Sequence, residues 1–197
     1  MEGIFYYWIM WACWIIVTFW MKKGTQRFWY SFFILLNIFV SQTYVQLLEF
    51  NIGLSFFLFT LAGILGSIQQ KRYIHTVMTA FTIALSYSSL QLFFVYDPVW
   101  FIADVKVVSS VVAFVIALFL GKDYVHSFSC LLIGLCYGEL IFWIVISSIY
   151  KPVTIGDASF LETMVFATCF LYIWIAMKSI TSSLEGIVEK NAKEKEG

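Results

Sequence analysis

The sequence predicts an all-α membrane bundle of seven spanning helices, N-terminus outside and C-terminus inside, and three observations carry that expectation. Of 197 residues, 61% are hydrophobic and 12% charged, with a mean hydropathy of +0.88; soluble domains run at roughly 45–50% apolar and about 25% charged. Seven apolar runs fill most of the chain, and a bilayer core of roughly 30 Å needs about 20 residues per spanning helix. The runs are too long and too uniformly apolar for the alternating strands of a membrane barrel, which leaves helices as the candidates. Finally, Lys and Arg fall on alternate sides of the runs ten to two, the asymmetry that separates cytoplasmic from outer loops.

The runs are Gly3 to Met21, Phe28 to Leu48, Ile52 to Ile68, Thr76 to Tyr96, Trp100 to Leu120, Phe128 to Ile149 and Phe160 to Ile180. The first precedes any basic residue, the first Lys being Lys22, so it reads as a retained span and not as a cleaved signal. Trp8, Trp11 and Trp14 repeat every three residues on one of its faces, a cluster expected to pack against lipid and neighbours in preference to stacking a flat ligand. Trp8, Trp20, Trp29 and Trp100 stand toward run ends, where amphipathic rings settle among headgroups. The fifth run is the shortest uninterrupted one: Val107 to Leu120 rises only about 21 Å and must borrow the stretch holding Asp104 and Lys106, which are expected near an interface, snorkelling outward. In all, residues 1–180 form one transmembrane domain and 181–197 a short cytoplasmic tail, whose Leu184, Ile187 and Val188 prolong the last helix before the end frays from Glu189.

One side collects Lys22, Lys23, Arg27, Lys71, Arg72, Lys122, Lys178, Lys190, Lys193 and Lys195, the other only Lys106 and Lys151. The first side is cytoplasmic by this rule, which puts Glu2, Glu49, Asp97 and Asp157 outside. Twelve Lys and Arg balance twelve Asp and Glu; with no basic field to hold a phosphate backbone, nucleic acid is excluded as a partner. The expected surroundings are the lipid bilayer, other membrane proteins or a second copy of the chain.

Glu139 is the first candidate functional residue, eleven positions after Phe128 and ten before Ile149. A charge at helix centre costs roughly 2.5–3.5 kcal/mol on the translocon scale, so this carboxyl must face the bundle interior, a partner or water, or be protonated. It is then either a proton, cation or substrate site or a carboxyl hydrogen-bonded between helices. Asn37, nine positions into the second run, is the neutral partner that depth suggests. Thr79, Thr82, Ser86 and Ser89 make a hydroxyl stripe on the fourth run; such a stripe lines a polar cavity or, as expected here, serves close helix packing. Gly134 and Gly138 form G-x-x-x-G, the spacing that lets two membrane helices approach backbone to backbone, within the bundle or between two copies.

The remaining polar residues exclude more than they propose. His75 and His126 lie in different turns without ligand spacing and read as surface histidines; Glu162, two residues into the seventh run, is expected to be hydrated near the outer interface. Cys13, Cys130, Cys136 and Cys169 sit in apolar runs without a C-x-x-C or Cys/His spacing, so buried free thiols are expected and no metal centre. No Ser-His-Asp set, H-E-x-x-H, Walker loop or G-x-G-x-x-G is present; neither enzyme activity nor a cofactor is expected. The rhodopsin topology is matched, yet Lys178 stands at the end of the last run where a retinal Schiff base needs mid-helix Lys. The Pro-Gln pairs of PQ-loop carriers are missing too, the prolines being Pro98 and Pro152 in loops.

The opening MEGIFYYW with its aromatic helix, the Asp97-Pro98-Val99-Trp100 turn and the overall length resemble the YphA family of small bacterial integral membrane proteins over most of the chain. That resemblance implies a multi-span protein of the cell membrane and carries over no catalytic or binding residue. Two functional readings follow: an interaction or assembly protein, and a small-molecule or ion carrier using Glu139, Asn37, Thr82 and Ser86.

Overall fold

A computed structural model describes residues 3–47, 50–70, 72–100, 103–149, 151 and 153–196, with backbone alone at 47, 100, 184 and 186–196. Glu2, Glu49, Lys71 and Pro152 lie outside the described residues, as do the side chains of Trp100, Leu184, Ile187, Val188, Glu189, Lys190, Lys193 and Lys195. Among the described residues the chain forms seven α-helices: α1 (Ile4–Trp20), α2 (Thr25–Val40), α3 (Leu54–Gln70), α4 (Tyr73–Tyr96), α5 (Val105–Leu120), α6 (Tyr124–Ile146) and α7 (Ala158–Glu196). By length and composition α4, α6 and residues 158–183 of α7 can cross a membrane, while α1, α3 and α5 are shorter apolar helices.

α6 is the axis of the bundle. It is apolar on every side, as a helix surrounded by others must be, and it packs against α3, α4, α5 and α7; Cys130, Leu131, Leu132, Leu135 and Cys136 are all buried. α1 and α2 form an outer pair that joins the rest through α7 and α3. Large apolar side chains cover the outside, with Trp8 74%, Phe19 76%, Phe39 81%, Ile74 85% and Ile144 66% exposed. A soluble monomer does not carry apolar surface on this scale; hydrocarbon is the solvent that accommodates it.

Three short strands, β1 (Tyr44–Leu47), β2 (Phe50–Gly53) and β3 (Val153–Ile155), cap one end of the bundle. β1 pairs antiparallel with β2, and β2 parallel with β3, placing Phe50 opposite Val153 and Ile52 opposite Ile155. This corrects the second apolar run, which was expected to stay helical to Leu48. α2 stops at Val40 because Ser41 and Thr43 turn their hydroxyls back onto Ile38 O (2.8 Å) and Val40 O (2.6 Å), local bonds that compete with helix continuation. Apolar content alone cannot separate a short strand from the end of a helix.

The opposite, basic end is closed by an ion pair between Arg72 Nη1 and Asp123 Oδ2 at 3.1 Å and by Lys178 Nζ over the Tyr124 ring at 5.8 Å. α7 does not fray from Glu189: its backbone stays helical through Glu196. The four cysteines are free, Cys130 and Cys136 buried and Cys13 and Cys169 half-buried. α5 starts where Asp104 accepts from Lys106 N at 3.0 Å, and its 16 residues rise about 24 Å.

Candidate functional site

Two buried carboxylates organise the polar interior toward the sheet end. Glu139 lies seven residues before the end of α6, about 10 Å from that terminus along the axis, and is 3% exposed. Tyr87 Oη donates to its Oε2 at 2.7 Å and Trp143 Nε1 to its Oε1 at 2.9 Å. The backbone N–H of Gly156 is a further donor, supplied by the turn after β3, where Gly156 holds φ +73. That left-handed conformation favours glycine, and a Cβ there would meet Phe56 Cβ at 2.8 Å. Gln91 Nε2 donates to Tyr87 Oη at 3.1 Å, extending the network one turn along α4.

Asn37 is not part of this network. α2 contacts α1 and α3, whereas Glu139 faces α4 and the β3 turn. With α2 ending at Val40, Asn37 lies three residues from a helix terminus and not at mid-depth. Its Nδ2 donates to Phe33 O at 2.9 Å, its backbone O accepts from Tyr6 Oη and Ser55 Oγ at 3.2 Å each, and its buried Oδ1 has no partner among the described residues. Thr82 and Ser86 do not join either. They return their hydroxyls to Met78 O and Thr82 O, both at 2.9 Å, while Thr82 and Ser89 lie on the exposed side of α4; Thr79 alone of the stripe is buried, 3.5 Å from His75 Nδ1.

The opposite side of α4 meets the glycines. A Cβ at Gly134 would lie 2.6 Å from Ile83 Cβ and 2.9 Å from Ala80 O, and one at Gly138 2.8 Å from Tyr87 Cδ1 and 2.9 Å from Ala84 O. Ala80 and Ala84 thus pair with Gly134 and Gly138 in a backbone-close seam inside one chain.

The second carboxylate is Glu162, 2% exposed and not hydrated as expected. Lys106 does not snorkel outward: its Nζ reaches Glu162 Oε2 at 2.7 Å, while Oε1 accepts from Gly3 N at 2.8 Å and Phe5 N at 3.2 Å. One acid therefore caps α1, whose first amides have no intrahelical acceptor, and neutralises a cation on α5.

His126 is also a correction. It is fully buried in the α4/α6 seam, not on the surface, with Nε2 3.2 Å from Thr76 Oγ1, its ring centroid 5.1 Å from that of His75, and Cys130 Sγ 3.6 Å from its ring nitrogens. Among the described residues no group of three or more His, Cys, Asp or Glu is arranged to hold a metal ion.

Sequence reasoning missed Tyr87, Trp143 and the Lys106–Glu162 pair. Each had a signal: Tyr87 and Gln91 are polar-tipped residues four apart in an apolar helix, as are Glu139 and Trp143, and Lys106 and Glu162 are opposite charges near the same end of different runs.

An all-helical bundle, apolar outside and with its carboxylates turned inward onto donors, is the construction of an integral membrane protein. The chain belongs to the family of YphA-like integral membrane proteins, which it matches over residues 2–197. It is similar to the uncharacterized protein YphA of Bacillus subtilis (strain 168), 28% identical over 164 residues that cover 82% of this chain and 81% of that protein. No solved structure matches the chain.

Proposed function

We propose that this is a seven-span protein of the bacterial cell membrane, N-terminus outside and C-terminus in the cytoplasm, acting as an interaction or assembly protein and not as an enzyme. The observation that carries the reading is the two-sided character of α4. Its inner side, with Ala80, Ile83, Ala84 and Tyr87, is consumed by the seam with α6, which leaves no room for a permeation path there. Its outer side presents Thr82 and Ser89 among Met78, Phe81 and Leu85, small hydroxyl residues of the kind that let a partner helix approach in a bilayer. Thr82→Leu and Ser89→Leu should keep the monomer stable but dissolve the complex in which the chain migrates after extraction in mild detergent. Migration of the wild-type chain as a monomer would overturn the reading.

Orientation is tested separately. Reporters active only outside should work when fused after Asn51, Val99 or Thr154 and fail after Gly24, Gln70, Lys122 or the tail; an active tail fusion would refute the topology. The second reading, a small-molecule or ion carrier, is favoured by the buried carboxyl of Glu139. It predicts uptake into proteoliposomes that Glu139→Gln abolishes without loss of folding.

A further inference from the structure

We propose that the turn between α1 and α2 binds the two-phosphate headgroup of a cardiolipin-type phospholipid. α1 begins beside β1, and its 17 residues carry this turn about 25 Å away, to the basic end of the bundle. There residues 21–27 line an open cleft of about 580 Å³, and Lys22, Lys23 and Arg27 all stand on it. Lys22 and Lys23 are exposed and form no ion pair among the described residues. From Gly3 to Leu48 the chain has no Asp or Glu that could answer them. Arg27 Nη1 donates to Thr18 O at 3.2 Å, which anchors the guanidinium at the cleft and leaves further N–H donors for an oxyanion. At the same end Arg72 is taken by Asp123 and Lys178 lies over the Tyr124 ring, so those two cations are already engaged within the chain.

The surroundings of the cleft select a lipid over a soluble anion. Phe19 and Trp20 stand before the turn and Phe28 and Trp29 after it, 76%, 81%, 64% and 60% exposed. Tryptophan at helix ends settles among headgroups, which puts the three cations at the depth of lipid phosphates. Next to the cleft Phe28 stacks on Phe32, ring centroids 6.2 Å apart at 13°, and this apolar wall offers acyl chains a surface from which a soluble anion gains nothing. Three cations exceed what one phosphate neutralises, and a basic pocket between helices at a membrane surface is the setting that holds a two-phosphate lipid. The site depends on neither the orientation nor the assembly role proposed above, because the turn meets headgroups in either leaflet.

The test counts bound lipid on the full chain by native mass spectrometry in mild detergent. Cardiolipin is titrated against phosphatidylglycerol at matched phosphate concentration, with phosphatidylcholine as the neutral reference and inorganic pyrophosphate as the soluble dianion. The first cardiolipin should bind about tenfold more tightly than phosphatidylglycerol, and its affinity should fall as salt is raised. Lys22→Gln combined with Lys23→Gln should lose about twentyfold, each surface cation being worth about fivefold. Both side chains are exposed, so the melting temperature without added lipid should not change. Lys122→Gln, which removes an exposed cation beside Asp123 on another turn, should leave the affinity as it is. Equal affinity for the two anionic lipids overturns the proposal, as does an equal loss in Lys122→Gln. Pyrophosphate binding as tightly as cardiolipin assigns the cleft to a soluble anion and overturns it too.

Discussion

Glu139 faces the bundle interior, as its depth in the sixth run implies, but onto a partner that depth does not name. Depth along the chain named Asn37, but depth says nothing about which helix stands opposite; the side of α6 that carries Glu139 turns to Tyr87 and the β3 turn. Glu139→Leu should therefore destabilise by about 2–4 kcal/mol, because it strands the Tyr87 hydroxyl and the Trp143 N–H in a buried site. Glu139→Gln, which keeps an acceptor for Trp143, should cost less than half as much. Tyr87→Phe added to Glu139→Leu should recover part of the loss, while Asn37→Leu should simply add to it. Denaturant titration in mixed micelles reads all four variants, and recovery with Asn37→Leu instead would refute the network.

Among elements, the α4/α6 seam decides the packing. Since a Cβ at Gly134 or Gly138 would press on backbone carbonyls of α4 and on Ile83 or Tyr87, even alanine should cost about 1–3 kcal/mol at either position. Gly24→Ala, where nothing lies within 4 Å, should stay within about 0.5 kcal/mol; equal melting temperatures for the three variants would show the seam to be loose. The G-x-x-x-G spacing was legible in the sequence because backbone approach needs small residues on one face. The sheet was not legible, since Tyr44–Leu47 continues an apolar run and its β2–β3 pairing joins segments about a hundred residues apart. The hydroxyl stripe shows a different limit: Thr82 and Ser86 satisfy themselves on their own helix, so periodicity fixes a face but not what the face meets.

At the scale of the whole molecule, the Lys106–Glu162 pair ties three helices together, with Glu162 on α7, Lys106 on α5 and the capped amides at the start of α1. Glu162→Leu strands the α1 amides, while Lys106 keeps Asp104 at 3.9 Å, so it should destabilise by about 1–3 kcal/mol. Adding Lys106→Met should restore little of that and leave the α1 amides uncovered, so hydrogen exchange at the first turn of α1 should stay fast in the double variant. Slow exchange there would show that Glu162 does not hold α1. Helix number and the approximate positions of α3 to α7 could be read from hydropathy because the bilayer imposes length and apolarity, although α5 begins at Val105 and not Trp100, α6 at Tyr124 and not Phe128, and α7 runs past Ile180. This pair could not, because a charge near a run end is equally compatible with snorkelling and with an inward partner.

The closing contacts of the bundle all come from chain that is synthesised last. β2 finds β3, Glu139 its Gly156 amide, and the first turn of α1 its cap on Glu162 only after α6 has been made. At a translation rate of about 5–20 residues per second, β2 waits roughly 5–20 s beside an unpaired edge. During that interval the pair α1/α2 stands without its latch. A chain that ends before β3 lacks all three of these contacts, so β2 and the first turn of α1 should be cleaved faster by protease there than in the full chain.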